Sequence, residues 1–277
     1  MSEPTQIHPA AVVEAGAQLG TGVRVGPFCY VGAEVVLGDG VELSNHVSVT
    51  GATTIGSGTR VLAQSALGGP PQDSKHQGGR TTLTIGRNCR IHEAVTMHVG
   101  SDTGRGATNV GDNGFFLAYS HVAHDCIVGD SVTLTNGATL GGHCEVGDNV
   151  IIGGLTAVHQ FVRIGRRAFV GGCSAVVGDV IPYGMAVGNR AKLRGFNVVG
   201  LKRSGMTRSD LLTLREAYRV IFSSAGTVAD NAELARAQFA DTPAVQEILD
   251  FLTSRGKRHF AVPPLGEYDA SSDDDRG

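Results

Sequence analysis

The string SHVAHDC, Ser120 to Cys126, is the densest cluster among the chain's ten histidines, and it places a histidine directly before an acid. An imidazole is well suited to taking a proton near neutrality, because a free one titrates near about pH 6.5. A neighbouring carboxylate can hold its tautomer and stabilise the imidazolium that forms. His124 with Asp125 therefore reads as a general base with its orienting group. Two other readings compete. His-x-x-His could supply metal ligands, although the spacings of zinc enzymes are not matched. The histidines could also be surface residues without a role.

What must position these residues is a repeat. An aliphatic marker falls on every sixth position in long runs, from Ile7, Val13, Leu19 and Val25 to Leu67, then Ile85 to Met97, then Val110, Phe116 and Val122 to Val176. Four residues after each marker stands a small or β-branched residue, such as Ala11, Cys29, Val47, Ser120, Cys126, Cys144 or Thr156. Six residues do not fit a helical period, but they fit one short strand plus a corner. Glycine follows many markers, for example Gly20, Gly56, Gly86 and Gly153. That placement is expected at corners whose backbone needs unusual dihedrals. Three strands close a triangular prism with an 18-residue coil, and coils stack at about 4.8 Å, the ordinary strand spacing. The expected fold is a mainly β chain, a parallel β-helix held by the stacking of its own repeats.

Stacking brings distant residues together. Eighteen positions on from His124 is Gly142, and eighteen more is Gln160; Asp125 leads in the same way to His143. His124, Asp125, Gly142, His143, His159 and Gln160 thus gather on adjoining coils, with His121 and His124 on the prism's outer surface. A glycine beside the base exposes a backbone N–H that could face a developing oxyanion. Cys29, Cys89, Cys126 and Cys144 fall in the inward column and read as small buried hydrophobes, neither disulfide partners nor zinc ligands.

The repeat lapses over residues 68–80 (GGPPQDSKHQGGR) and 100–107 (GSDTGRGA), which are read as loops thrown out from the coil. The β-helix with these loops is expected over residues 1–190, an α-helical part over 191–265 and a disordered acidic tail over 266–277. Helix signals include Thr207 with Asp210, Thr227 with Asp230, and Thr242-Pro243. With 40 Gly, no Trp and 5% aromatics, a large aromatic core is excluded. Met1 to Pro9 has no apolar run fit for a signal peptide and no stretch is long enough to span a membrane, so a cytoplasmic protein is expected. The net charge is −3, yet residues 160–220 hold eleven Lys/Arg against three Asp/Glu. That band, with Arg163, Arg166, Arg167, Lys192, Arg194, Lys202 and Arg203, suggests an anionic partner. Nucleic acid fits poorly with a pI near 6.3 and no interleaved aromatics. A nucleotide phosphate or an acidic carrier protein fits better.

The strings AHDC at 123–126, GGLTAVHQF at 153–161, VGGCS at 170–174 and GNRAKLRGFNVVGLKR at 188–203 resemble the UDP-N-acetylglucosamine 3-O-acyltransferases, within the hexapeptide-repeat acyltransferases. The resemblance covers about residues 5 to 260. It implies a left-handed coil, against the usual right-handed crossover. It also implies a homotrimer with sites in the clefts between prisms, and no cofactor or metal. The implied reaction moves a 3-hydroxyacyl chain from acyl carrier protein to the 3-hydroxyl of UDP-N-acetylglucosamine, opening lipid A biosynthesis. Residue by residue, it makes His124 the base, Asp125 its orienting group and Gly142 the oxyanion amide. Gln72, Asp73, Lys75, His121, His143, His159 and Gln160 become substrate contacts, Asn197 and Arg203 lie near the nucleotide, and Gly172 marks the end of the acyl groove. Three positions depart from the pattern: Val99 follows His98 where Arg is frequent, Val199 replaces a usual Glu, and Ser204 replaces the second Arg of KRR. The alternatives are the N-acyltransferase acting later in that pathway, which carries an extra N-terminal domain, and a non-catalytic β-helix scaffold, whose flat faces would repeat one side chain.

Overall fold

The computed structural model describes residues 4–223, 225–254 and 256–264. The expected tail at 266–277 lies outside them. Strands of mostly two residues alternate with corners and form three parallel sheets in which every third strand is a neighbour. The first sheet begins at Gln6–Ile7, the second at Val12–Val13 and the third at Gln18–Leu19. Markers stack in register: Val13 lies opposite Val31, then come Val49, Leu67, Met97, Val122, Leu140, Val158 and Val176. These side chains are buried apart from the first turns, and the small column fills the space between them, including the four inward cysteines. Cys173, outside that column, is exposed.

The glycines have a different purpose from the one their position suggests. Apart from Gly68, where the first loop departs, those directly after the markers do not have positive φ; the left-handed residues of the coil corners stand three positions after the markers, and most are not glycine, as at Phe28, His46, Asn113, Asp125, His143 and Phe161. Gly153 illustrates what the first class does. A Cβ there would stand 2.3 Å from the Gly172 nitrogen in the next coil, so it is backbone packing between coils that forbids a side chain.

Register also accounts for the loops. Leu67 pairs with Met97 and Met97 with Val122, steps of 30 and 25 residues where the coil needs 18. The surplus leaves as residues 68–80 and 100–107. Both loops depart from strands of the second sheet, Ala66–Gly69 and Thr96–His98, and re-enter the third at Thr82–Ile85 and Ala107–Val110. The corner holding His124 and Asp125 joins the same two sheets, between His121–Val122 and Ile127–Val128. Loops and histidines therefore share one edge of the prism.

After Ala175–Val176 the coil ends in a hairpin, with Gly184–Val187 antiparallel to Lys192–Phe196. This second strand occupies the start of the span expected to be helical: it pairs with Gly184–Val187, burying Leu193 against that hairpin and Phe196 against Tyr218, and covers what would otherwise be an open edge. Four helices follow, α1 (Val198–Arg203), α2 (Arg208–Ile221), α3 (Val228–Gln238) and α4 (Pro243–Thr253). Both expected Thr/Asp pairs form complete capping boxes on α2 and α3, and Pro243 opens α4. No helix among the described residues is long and apolar enough to cross a membrane.

Two members of the basic band are consumed in holding the helices to the prism. The Arg166 guanidinium grips Glu247 of α4 at 2.9 and 2.7 Å and donates to Tyr183 Oη at 2.6 Å. Arg163 donates to the buried Asp179 at 2.7 Å and to Ser254 Oγ at 2.7 Å, and its guanidinium carbon lies 4.4 Å from the centre of the Phe251 ring. Neither belongs with residues available to an anionic partner, because a fork already engaged in this way has few donors left.

If backbone contact limits coil spacing, Gly153→Ala should lower the unfolding free energy by about 1–3 kcal/mol, the usual cost of overpacking. Gly40→Asn, at φ +66° with open space around it, should stay close to wild type. A neutral Gly153→Ala in chemical denaturation would show that the coils have room to spare.

Candidate active site

Three successive corners on the shared edge build the site. The His143 N–H donates to His124 O and the Phe161 N–H to Gly142 O, both at 3.0 Å, so the 18-residue arithmetic holds in space. His124 Nδ1 lies 2.8 Å from Asp125 Oδ2. The other edge of the imidazole covers Gly142: a Cβ on that residue would stand 2.7 Å from His124 Nε2, so only glycine fits. The Gly142 N–H donates to no acceptor among the described residues. His124 does point away from the prism, but it is 9% exposed rather than on an open surface, because the loops cover it.

The second loop is a cradle for one carboxylate. Asp125 has no exposed surface. Its Oδ2 accepts from Ser101 N at 3.0 Å and Ser101 Oγ at 2.7 Å, and its Oδ1 accepts from Gly106 N at 3.0 Å. A Cβ on Gly104 would stand 2.4 Å from Oδ2, so this glycine too is required by close packing. Arg105 closes the cradle, donating to Asp125 O at 2.7 Å and pairing with Glu145. Burial pushes the Asp125 carboxyl up, but the hydrogen bonds from His124 and Ser101, together with nearby His143, outweigh it and hold it below the usual carboxylate range. His124, Asp125 and His143 could also be taken for a metal triad, since their ligand atoms lie within 4.8 Å of one another. Oδ2 is already spent on three donors, which argues against that use.

The first loop is fastened to the second. Asp102 accepts from His76 Nδ1 and from the Gln77 and Gly79 backbones at 3.0–3.1 Å, and Thr103 Oγ1 donates to Asp73 at 3.1 Å. The Lys75 N–H bond, then Thr103 and the charge of Lys75, hold Asp73 below the usual carboxylate range despite its partial desolvation. The two loops, the corner residues and the segment after α4 enclose a cavity of about 1010 Å³.

Of the residues singled out in the sequence, Gln72, Asp73, Lys75, His124, His143 and Gln160 line this cavity. His143 stacks on Phe161, with ring centres 4.3 Å apart, and meets His124 edge-on at 5.1 Å. Burial, which prevails over the Asp125 carboxylate, and the nearby cations Arg105 and Lys257 keep His143 below the ordinary imidazole range. His121 and His159 do not line the cavity. His121 is bonded to Thr96 Oγ1 at 2.7 Å, and burial, with His98 and His124 nearby, pushes it down to about 4. His159 faces Arg258. Gly172 is exposed elsewhere, and Asn197 caps α1, accepting from Gly200 N at 3.0 Å and donating to Arg167 O at 3.1 Å. Arg203 lies in the last turn of that helix. The sequence reading missed Ser101, Arg105, Phe161, Lys257 and Arg258. For the first two, the only signal was the glycine spacing of 100–106.

Comparison with known proteins decides the family. A profile described as "Udp N-acetylglucosamine O-acyltransferase; Domain 2" matches residues 179–260. An acyl-[acyl-carrier-protein]–UDP-N-acetylglucosamine O-acyltransferase of Mesorhizobium japonicum is 64% identical over 277 residues, 99% of each chain. One of Brucella ovis is 50% identical over 94% of each. The chain belongs to this acyltransferase family. Its structure agrees with a solved UDP-N-acetylglucosamine acyltransferase at a TM-score of 0.90 and 37% identity, covering 94% of this chain and 99% of that one. The corresponding protein of Acinetobacter baumannii also gives 0.90, at 34% identity over 92% and 99%. The coil is accordingly the left-handed parallel β-helix of the family, followed by its C-terminal helices.

Because Asp125 titrates below its unfolded value, it stabilises the fold above the unfolded carboxyl pKa, and this contribution is lost as pH falls through the folded value. Ser101→Ala removes one charge-assisted bond, worth about 1.5–3 kcal/mol. Acid unfolding followed by circular dichroism should therefore begin at higher pH in this variant. An unchanged acid midpoint would mean that the hydroxyl does not hold the carboxylate.

Proposed function

We propose that this chain transfers a 3-hydroxyacyl group from acyl carrier protein to the 3-hydroxyl of UDP-N-acetylglucosamine, the first step of lipid A biosynthesis, in the cytoplasm. The observation that carries the mechanism is the placement of His124 between Asp125 and Gly142. Its Nδ1 is bonded to a buried carboxylate at 2.8 Å, leaving Nε2 beside an N–H with no acceptor. Nε2 takes the proton of the sugar hydroxyl as its oxygen attacks the thioester carbon. The carbonyl oxygen becomes an oxyanion that the Gly142 N–H receives, and the Asp125 charge offsets the imidazolium. Collapse breaks the carbon–sulfur bond and returns the proton from Nε2 to the departing thiolate. An ester and the free carrier thiol result, with no cofactor or metal needed.

The curated relatives' names favour this acceptor over the amine of the later N-acyltransferase. Asp73, Lys75, His143 and Gln160 face the cavity as polar contacts for sugar and thioester, with Gln72 beside them. Asn197, Arg203 and Gly172 do not line the cavity of a single chain. Their proposed roles fit a homotrimer, in which a neighbouring prism supplies the opposite wall; His121 and His159 would then flank the cleft. The acidic carrier is received by Arg167, Lys192, Lys202 and Arg203 of the basic band. Gly172 leaves the end of the acyl groove open, which favours longer hydroxyacyl donors.

Incubation with hydroxyacyl carrier-protein thioesters of graded length, and either UDP-N-acetylglucosamine or its 3-amino analogue, tests the reading by product mass. The hydroxyl acceptor and the longer donors should be used. His124→Ala should retain its light-scattering mass, that of a trimer, and lose at least about 10²-fold in turnover, the general-base range. Turnover near wild type in that variant, or a fully active monomer, would overturn the mechanism or the assembly respectively.

A further inference from the structure

After α4 the chain returns to the edge that carries the site. The Asp179 N–H donates to His259 O, and the Ala261 N–H donates to Asp179 O, each at 2.8 Å. Asp179 is stacked on Arg163, since Val180 bridges Ile164, and its buried carboxylate takes Arg163 N at 2.9 Å and Arg163 Nε at 2.7 Å. Gly256 lies flat on this pair: a Cβ there would stand 2.5 Å from Asp179 Oδ2 and 2.6 Å from Arg163 Nε. The segment 256–261 is a strap with a fixed seat, and it carries two cations across the edge.

Lys257 Nζ sits 4.0 Å from the centre of the Phe161 ring, the ring that stacks on His143. Arg258 reaches further in. Its Nε donates to Gln160 O at 2.9 Å, and a terminal nitrogen donates to His159 Nδ1 at 2.7 Å. A guanidinium has no lone pair to offer, so His159 Nδ1 must be the acceptor and the ring proton lies on Nε2. The same Nδ1 is 3.2 Å from Gln160 O, a contact that is not a hydrogen bond in this tautomer. The charge-assisted bond is the shorter and the stronger of the two.

We propose that Arg258 is a positioning residue for the acceptor side of the site. Its planar fork fixes the His159 tautomer and the Gln160 backbone together, and so presents the Gln160 side chain to the cavity in one orientation. The Gln160 amide that lines the cavity is a neutral hydrogen-bonding group, which suits sugar hydroxyls rather than an alkyl chain. Arg258 does not touch the reacting atoms; its effect falls on binding of the acceptor. The proposal rests on the acyl-transfer reading and adds the C-terminal strap to the site.

Arg258→Met keeps the stem and deletes the donors. In the full chain it should release His159 from the single tautomer, seen by ¹⁵N NMR. It should also raise KM for UDP-N-acetylglucosamine roughly five- to tenfold, the size of one net hydrogen bond. The KM for the acyl donor, kcat and the thermal midpoint should remain near wild type. Arg258→Lys, which keeps the charge without the fork, should fall between the two and serves in its place if Arg258→Met does not fold. Released tautomer with an unmoved sugar KM would overturn the proposal. So would a joint fall of kcat, both affinities and the midpoint, which marks a strap that is merely structural. Should the wild type make no acylated sugar, the acyl-transfer reading fails separately. Calorimetric binding of UDP-N-acetylglucosamine then decides the strap's role, and equal Kd values in wild type and variant would refute it.

Discussion

A buried carboxylate costs several kcal/mol unless its charge is met by donors, and the arrangement around Asp125 is organised by that requirement. Ser101 and Gly106 supply three hydrogen bonds from the second loop, His124 supplies a fourth, and Gly104 packs where any side chain would collide. Removing the loop would leave the charge facing water, and the imidazole would lose the support that sets its orientation. The loop's conformation, the histidine's tautomer and the first loop, which is fastened to the second through Asp102 and Thr103, therefore depend on one another. This coupling makes the base a rigid element rather than a side chain on an exposed face.

The β-helix contributes a ruler with a single edge. Coil stacking puts Asp125, His143 and Phe161 above one another, each at the corner joining the same two sheets. Both loops and the C-terminal strap are drawn to that edge. A repeat built for self-stacking would otherwise present three equivalent edges. The site exists because insertions and the returning chain converge on one of them. The helices are held there by Arg166, paired with Glu247 of α4, and by Arg163, which Asp179 fixes against Ser254 and Phe251, and both consume cations that a charge count assigns to a partner.

The coil, its register and the gathering of His124, Asp125, Gly142 and His143 were legible in the sequence, because a six-residue period converts spacing into position. The role of the glycines was not. Those after the markers are needed where two backbones meet, and that contact lies 18 residues away in the next coil. The cradle around Asp125 was hidden for a similar reason: Ser101 is 24 residues from its acceptor, within a loop whose path no period describes. Lys192–Phe196 escaped notice because its antiparallel pairing with Gly184–Val187 breaks both the hexad and the helical pattern. Asn197, read as a nucleotide contact through resemblance, is engaged in capping a helix within its own chain.

The central claim is that Asp125 holds His124 with its proton on Nδ1, leaving the Nε2 lone pair beside the Gly142 N–H. Two-bond ¹H–¹⁵N correlation spectra of histidine-labelled protein test it directly at pH about 8, where an ordinary imidazole is neutral. The account predicts a protonated Nδ1 and an unprotonated Nε2 for the His124 ring, with that preference lost in Asp125→Ala. A His124 ring carrying its proton on Nε2 would contradict it, because the nitrogen assigned to take the hydroxyl proton would already be occupied.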